Sequence, residues 1–160
     1  MQSSDAAPQQ STVFTSEAGT MMSEAVRASS AEITAPPEAV WLAVQKVYKD
    51  LDIPLTVDNP AAHQLGNNDF FKTRQIGGER MSSYIDCGSG VTGPKADTWR
   101  IVMSLLTDVL PTANGTTLKV TFKASGKDMT AGSSFLVPCG NNGRLESSVI
   151  ARVKAALGKT

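Results

Sequence analysis

Residues that could do chemistry are few in this sequence. One histidine and two cysteines stand among 160 residues, so most metal centres and nucleophile–base pairs lack parts. Gly88-Ser89-Gly90-Val91-Thr92-Gly93 has the G-x-G-x-x-G spacing of a phosphate-cradling loop. A dinucleotide site needs that loop to open a helix whose N-terminus faces the pyrophosphate. Here Pro94-Lys95-Ala96-Asp97 leads instead into an alternating stretch at Trp99, and no parallel βαβ unit is available. The glycines read as a loop between strands, and no cofactor is expected. His63 follows the turn Asn59-Pro60-Ala61-Ala62 and reads as a surface residue. Serines are abundant (Ser82, Ser83, Ser89, Ser133, Ser134, Ser147, Ser148), but none lies in a G-x-S-x-G elbow and only His63 is a base candidate. Asp50, Asp52 and Asp69 read as solvated or turn acids, with no pair poised for acid–base work. No catalytic residue and no metal ligand is expected, and the chain reads as a non-enzyme.

Cys87 and Cys139 occupy similar settings, Asp86-Cys87-Gly88 and Pro138-Cys139-Gly140. Each ends a strand candidate, and the following glycine permits a sharp turn. Bonded, they would close a loop of roughly 53 residues, which contributes on the order of 4 kcal/mol in the chain-entropy picture. The competing reading is two free, buried thiols of a cytosolic protein. A lone pair without Cys-x-x-Cys spacing favours the disulfide of an exported protein over a redox or zinc site.

The elements that must hold these residues follow from periodicity. Val40, Trp41, Val44, Val47, Tyr48 and Leu51 form one apolar face of a helix from about Pro37 to Leu51, opposite Gln45, Lys46, Lys49 and Asp50. Pro37 suits its first turn and Pro54 stops the chain beyond it. Leu55-Thr56-Val57, an interrupted stretch between Gln64 and Ile76, and Met81–Cys87 read as strands. The strongest pair is Trp99–Leu106 and Leu118–Ser125, each alternating apolar and polar, with the turn signal Asn114-Gly115 between them. Asn114-Gly115-Thr116 is formally a glycosylation acceptor as well. After the loop Gly126–Ser134 and the apolar run Phe135-Leu136-Val137, a second helix spans Asn141–Leu157, with Leu145, Val149, Val153 and Leu157 on its buried stripe. The expected fold class is therefore α+β: a two-layer domain of residues 37–160, in which an antiparallel sheet of four to five strands packs against an N-terminal and a C-terminal helix.

Residues 1–36 differ. They are rich in Ser, Gln, Ala and Thr, with four acids and one base, whereas residues 37–160 hold 14 bases and 11 acids. This composition suits an extended, solvated arm. It has neither the basic start nor the apolar run of an intact signal peptide, and resembles the segment after a cleaved lipoprotein signal, which would place a lipid anchor before residue 1. No apolar stretch approaches the ~20 residues of a membrane span. Fifteen bases cancel fifteen acids, so nucleic acid is not an expected partner. Lys119, Lys123 and Arg100 share a wet sheet face that is expected to lack stacking aromatics. Val13, Phe14, Met21 and Met22 in the arm, with Phe70 and Phe71, are the candidate partner-binding residues, one of the two adjacent rings being expected outside. Trp41 and Trp99 read as core.

The helix–antiparallel sheet–helix order over residues 37–157 resembles helix-grip domains, including those of bacterial exported lipoproteins that accompany β-barrel assembly. Cys139-Gly140-Asn141-Asn142-Gly143-Arg144-Leu145-Glu146 is similar to segments of exported bacterial proteins. The resemblance implies a periplasmic accessory or scaffold subunit without chemistry, docking through its arm on protein subunits of a membrane-associated complex, such as an assembly machine or a photosynthetic reaction-centre complex. The alternative it implies is a helix-grip module that holds a small apolar ligand between sheet and helix, with Trp41, Trp99, Met103 and Phe122 as lining.

Overall fold

Two strands of period two and two helical stripes decide the architecture. The computed structural model describes residues 27–129 and 135–158. In chain order the elements are β1 (Arg27–Ile33), α1 (Pro37–Asp50), β2 (Val57–Asn59), β3 (Gln64–Thr73), β4 (Gln75–Ile76), β5 (Glu79–Arg80), β6 (Ile85–Asp86), β7 (Ser89–Gly90), β8 (Gly93–Pro94), β9 (Arg100–Thr112), β10 (Gly115–Lys127), β11 (Val137–Pro138), β12 (Gly140–Asn141) and α2 (Arg144–Ala156). The main sheet is antiparallel, in the order β1-β10-β9-β3-β2, with β11 added to the end of β10. Three two-stranded ladders, β4–β5, β7–β8 and β6–β12, decorate it.

One face of the sheet is covered. Ile101, Met103, Leu105 and Val109 of β9 and Leu118, Val120, Phe122 and Ala124 of β10 are all buried, as their alternation requires. The two helices pack side by side over this face, α1 against β9 and α2 against β10 and β1. Val40, Val44 and Val47 of α1 and Leu145, Val149 and Val153 of α2 are sealed beneath them, and each such burial contributes about 1.5–3 kcal/mol. Tyr48 belongs to the same stripe, and its hydroxyl donates to Leu105 O at 2.9 Å and lies 3.0 Å from Thr107 Oγ1. The chain thus is an α+β protein with two helices on an antiparallel sheet.

Several expectations are corrected. Residues 27–36 do not belong to an arm: β1 pairs along its length with β10, from Arg27 opposite Phe122 to Ile33 opposite Thr116. Its Ala-Ser-Ser-Ala centre carries no strand signal, so the partner, not the propensity, makes the strand. Thr116 then anchors the segment by donating to Ala35 O at 2.8 Å. With β1 and β11 included the sheet has six strands, more than the expected four to five. Met81–Cys87 is not one strand. Met81–Ser83 forms a 3-10 turn, because Asp97 accepts hydrogen bonds from both the Ser82 amide and its hydroxyl at 2.9 and 2.7 Å. The hairpin turn is Ala113-Asn114, with Gly115 already in β10, opposite Thr112. A Cβ at Gly115 would collide with Ile33 O, so the glycine serves the neighbouring strand's approach. Gln64–Ile76 is a single long strand to Thr73, with a register shift between Asn67 and Phe70 where Gly66-Asn67-Asn68 interrupts the pattern.

Candidate functional site

Cys87 and Cys139 form a disulfide, with Cα atoms 4.4 Å apart. Their seat is Gly126, where a Cβ would lie 3.4 Å from each sulfur and 2.7 Å from Cε3 of Trp99. A side chain there would displace the indole, so the glycine admits both. Trp99 and Trp41 are half-buried and pack on the core rather than lying wholly within it. Lys95 Nζ sits 5.1 Å from the Trp99 ring centroid. Ile85, Asp86, Gly88, Pro94, Gly140 and Asn141 border a cleft of about 500 Å³ beside the disulfide. Its glycine motif is the β7–β8 hairpin, Ser89 opposite Pro94 and Gly90 opposite Gly93. Only a three-residue 3-10 turn, Lys95–Asp97, follows it, and strand β9 comes next, so the loop opens no α-helix whose end could face a phosphate.

The remaining chemistry-bearing residues stay apart. His63 is exposed, in the left-handed region at φ 59°, and its imidazole has no hydrogen-bond partner among the described residues. It borders a groove of about 660 Å³ lined by Trp41, Leu42, Val109, three prolines and the carboxylate residue Glu38. Ser82 binds Asp97, and Ser147 binds Gly143 O; neither meets His63. Among the described residues no three His, Cys, Asp or Glu side chains converge on a point that could hold a metal ion. Tyr48 is the described group whose acidity departs most clearly from normal: burial pushes its phenol well above the ordinary value of 10.0. It is a buried structural group, remote from solvent.

The candidate contact residues divide. Phe70 is buried in the core, which removes it from any contact surface, whereas Phe71 is 55% exposed. Val13, Phe14, Met21 and Met22 lie outside the described residues. Phe71 stands on the open face of the sheet, and the guanidinium carbon of Arg100 lies 4.4 Å from its ring centroid. That face therefore does carry an aromatic, already covered by a cation. The register of the strands maps the face row by row. Glu32 and Thr117 stand at one end; Lys119 and Asp108 come next, then Thr121 and Leu106, then Lys123 and Ser104. The far end holds Phe71, Val102, Ser125 and Pro138 in one row, and Thr73, Arg100 and Lys127 in the last.

Beside that far end the run Phe135-Leu136-Val137 stands in solvent, exposed by 77%, 50% and 41%. Its apolar character was plain in the sequence; its exposure was not, although the short distance to Pro138 and Cys139 left it little room to reach the core. Arg100 was legible only as a wet-face cation. No protein-family model matches this chain, and no curated protein matches it in sequence.

Proposed function

We propose that the protein is a non-enzymatic, extracytoplasmic binding subunit that docks on a membrane-associated protein complex, in the manner of accessory subunits of assembly machines or of photosynthetic reaction centres. The observation that supports this reading is the gathering of exposed apolar side chains, Phe71 on the open face and Phe135, Leu136 and Val137 beside its far end. The stretch that precedes β1 joins the fold at Arg27, opposite Phe122, midway along β10. Val13, Phe14, Met21 and Met22 would then act together with Phe71 on one partner. The disulfide is compatible with an oxidising, periplasmic setting. No helix among the described residues is long and apolar enough to cross a membrane; attachment through the partner and through a lipid anchor is part of this proposal. The test is affinity isolation, in detergent, of the tagged full chain, of a variant lacking residues 1–26, and of Phe71→Ser. Both variants should melt like the parent and lose co-purifying subunits. Retention of every subunit by both would end the proposal.

A second reading, a module for an apolar small molecule, draws on the groove beside Trp41 and Leu42. Met103 and Phe122, expected to line such a site, are instead fully buried. Quenching or shift of tryptophan fluorescence on titration with apolar dyes, lost in Leu42→Glu, is the measurement for it.

A further inference from the structure

We infer that the far end of the open sheet face is a membrane-surface site that rests on a bilayer of anionic lipid. This goes beyond the docking proposal and stands without it, since a bilayer free of protein suffices as the ligand. Three features carry it. The first is an apolar run held out of the core: Val137 and Pro138 pair with Gly126 and Ser125, the Cys139 amide donates to Ala124 O at 3.1 Å, and the disulfide fixes Cys139 itself. Phe135-Leu136-Val137 cannot retreat without breaking these ties, and three consecutive exposed large apolar residues are not the scattered singles of an ordinary surface.

The second feature is charge. Arg100 and Lys127 share the last row and Lys123 stands two rows before it, while Asp108 and Glu32 lie toward the other end; the nearer acids are Asp69, exposed at the β3 bulge two residues before Phe71, and Asp128, next to Lys127. Arg100 and Lys127 have no carboxylate partner among the described residues, and Arg100 Nε is buried without an acceptor while the guanidinium stacks on Phe71. Cations over an apolar band match headgroup phosphates above acyl chains. A protein interface selects differently, because lysine is depleted from interface cores. The third feature is shape. Phe71 and Pro138 are three strands apart on one row, about 14 Å, so the surface is broad and flat as a bilayer contact is.

Sedimentation of the full chain with vesicles tests this, using phosphatidylcholine alone and phosphatidylcholine mixed with phosphatidylglycerol. The chain should bind the mixed vesicles and not the neutral ones, and added salt should release it. Arg100→Gln and Lys127→Gln should each weaken binding about fivefold, Lys127→Arg should bind like the parent, and Leu136→Ser should weaken it at least as much as either charge change. Lys46→Gln, on the outer face of α1, should change nothing. Leu136→Trp should show a blue-shifted emission on adding mixed vesicles. Melting curves of each variant separate lost binding from lost folding. Failure to bind mixed vesicles, equal binding to neutral ones, or binding untouched by both Leu136→Ser and Lys127→Gln in variants that melt normally would overturn the inference. Loss of co-purifying subunits in detergent by Leu136→Ser, without vesicle binding by the parent, would make the patch a protein contact instead and leave the docking proposal intact.

Discussion

At Gly66 a hydrogen atom is all the space allows: a Cβ would collide with Leu105 O and lie 2.9 Å from the Tyr48 hydroxyl, at a φ of 150°. Gly66→Ala should therefore destabilise the fold by on the order of 3 kcal/mol, read as a lower urea midpoint. Tyr48→Phe keeps the shape but strands Thr107 Oγ1, and should cost about 1 kcal/mol. The same tyrosine sets a pH dependence. Its phenol is raised in the folded state above the unfolded value of 10.0, so its contribution is complete below about pH 10 and is lost as pH climbs above it. The urea midpoint of the parent should fall on that alkaline side, and Tyr48→Phe should lack this part of the fall. Tyr48 was legible as a member of an apolar stripe. The partners of its hydroxyl were not, because Leu105 and Thr107 lie 57 and 59 residues away in the chain.

Among the elements, legibility followed the strength of local periodicity. The β9–β10 hairpin and both helices are written in their own alternation, and their buried sides are the expected ones. The burial of Met81, Ile85 and Cys87 was also legible, but not their backbone, since the turn at Met81–Ser83 depends on a carboxylate 15 residues away. β1 left no mark, for serine and alanine neither favour a strand nor reveal its face. The contact surface was half legible: the Phe70-Phe71 pair promised one outer ring, whereas the alignment of Phe71 with Arg100, Val102 and Pro138 needs the register of four strands. The disulfide ties β6 and β12 to the end of the sheet. Replacing both Cys87 and Cys139 by serine should lower stability by about 4 kcal/mol or less. The check is thermal melting of that variant beside the parent with and without reductant, in which reduction should move only the parent.

At the scale of the whole molecule, the described fold reaches back to Arg27, ahead of Pro37. A chain begun at Arg27 should keep the parent's far-ultraviolet circular dichroism and melting temperature. A chain begun at Thr34 should not, since it loses the buried Ile33 and bares the edge of β10; concentration-dependent light scattering should report the association that follows. Equal melting of the two would refute this reach of the fold.

The pairing of β1 with β10 also orders events in time. Glu32 and Thr117, whose side chains bond at 2.8 Å, are 85 residues apart, and closing a loop that long is slow. A nascent chain emerging N-terminus first would hold Arg27–Ile33 idle until β10, which begins at Gly115, had been made. Cys139 follows β10 in the chain, so the disulfide closes only once both partners of that edge pairing exist.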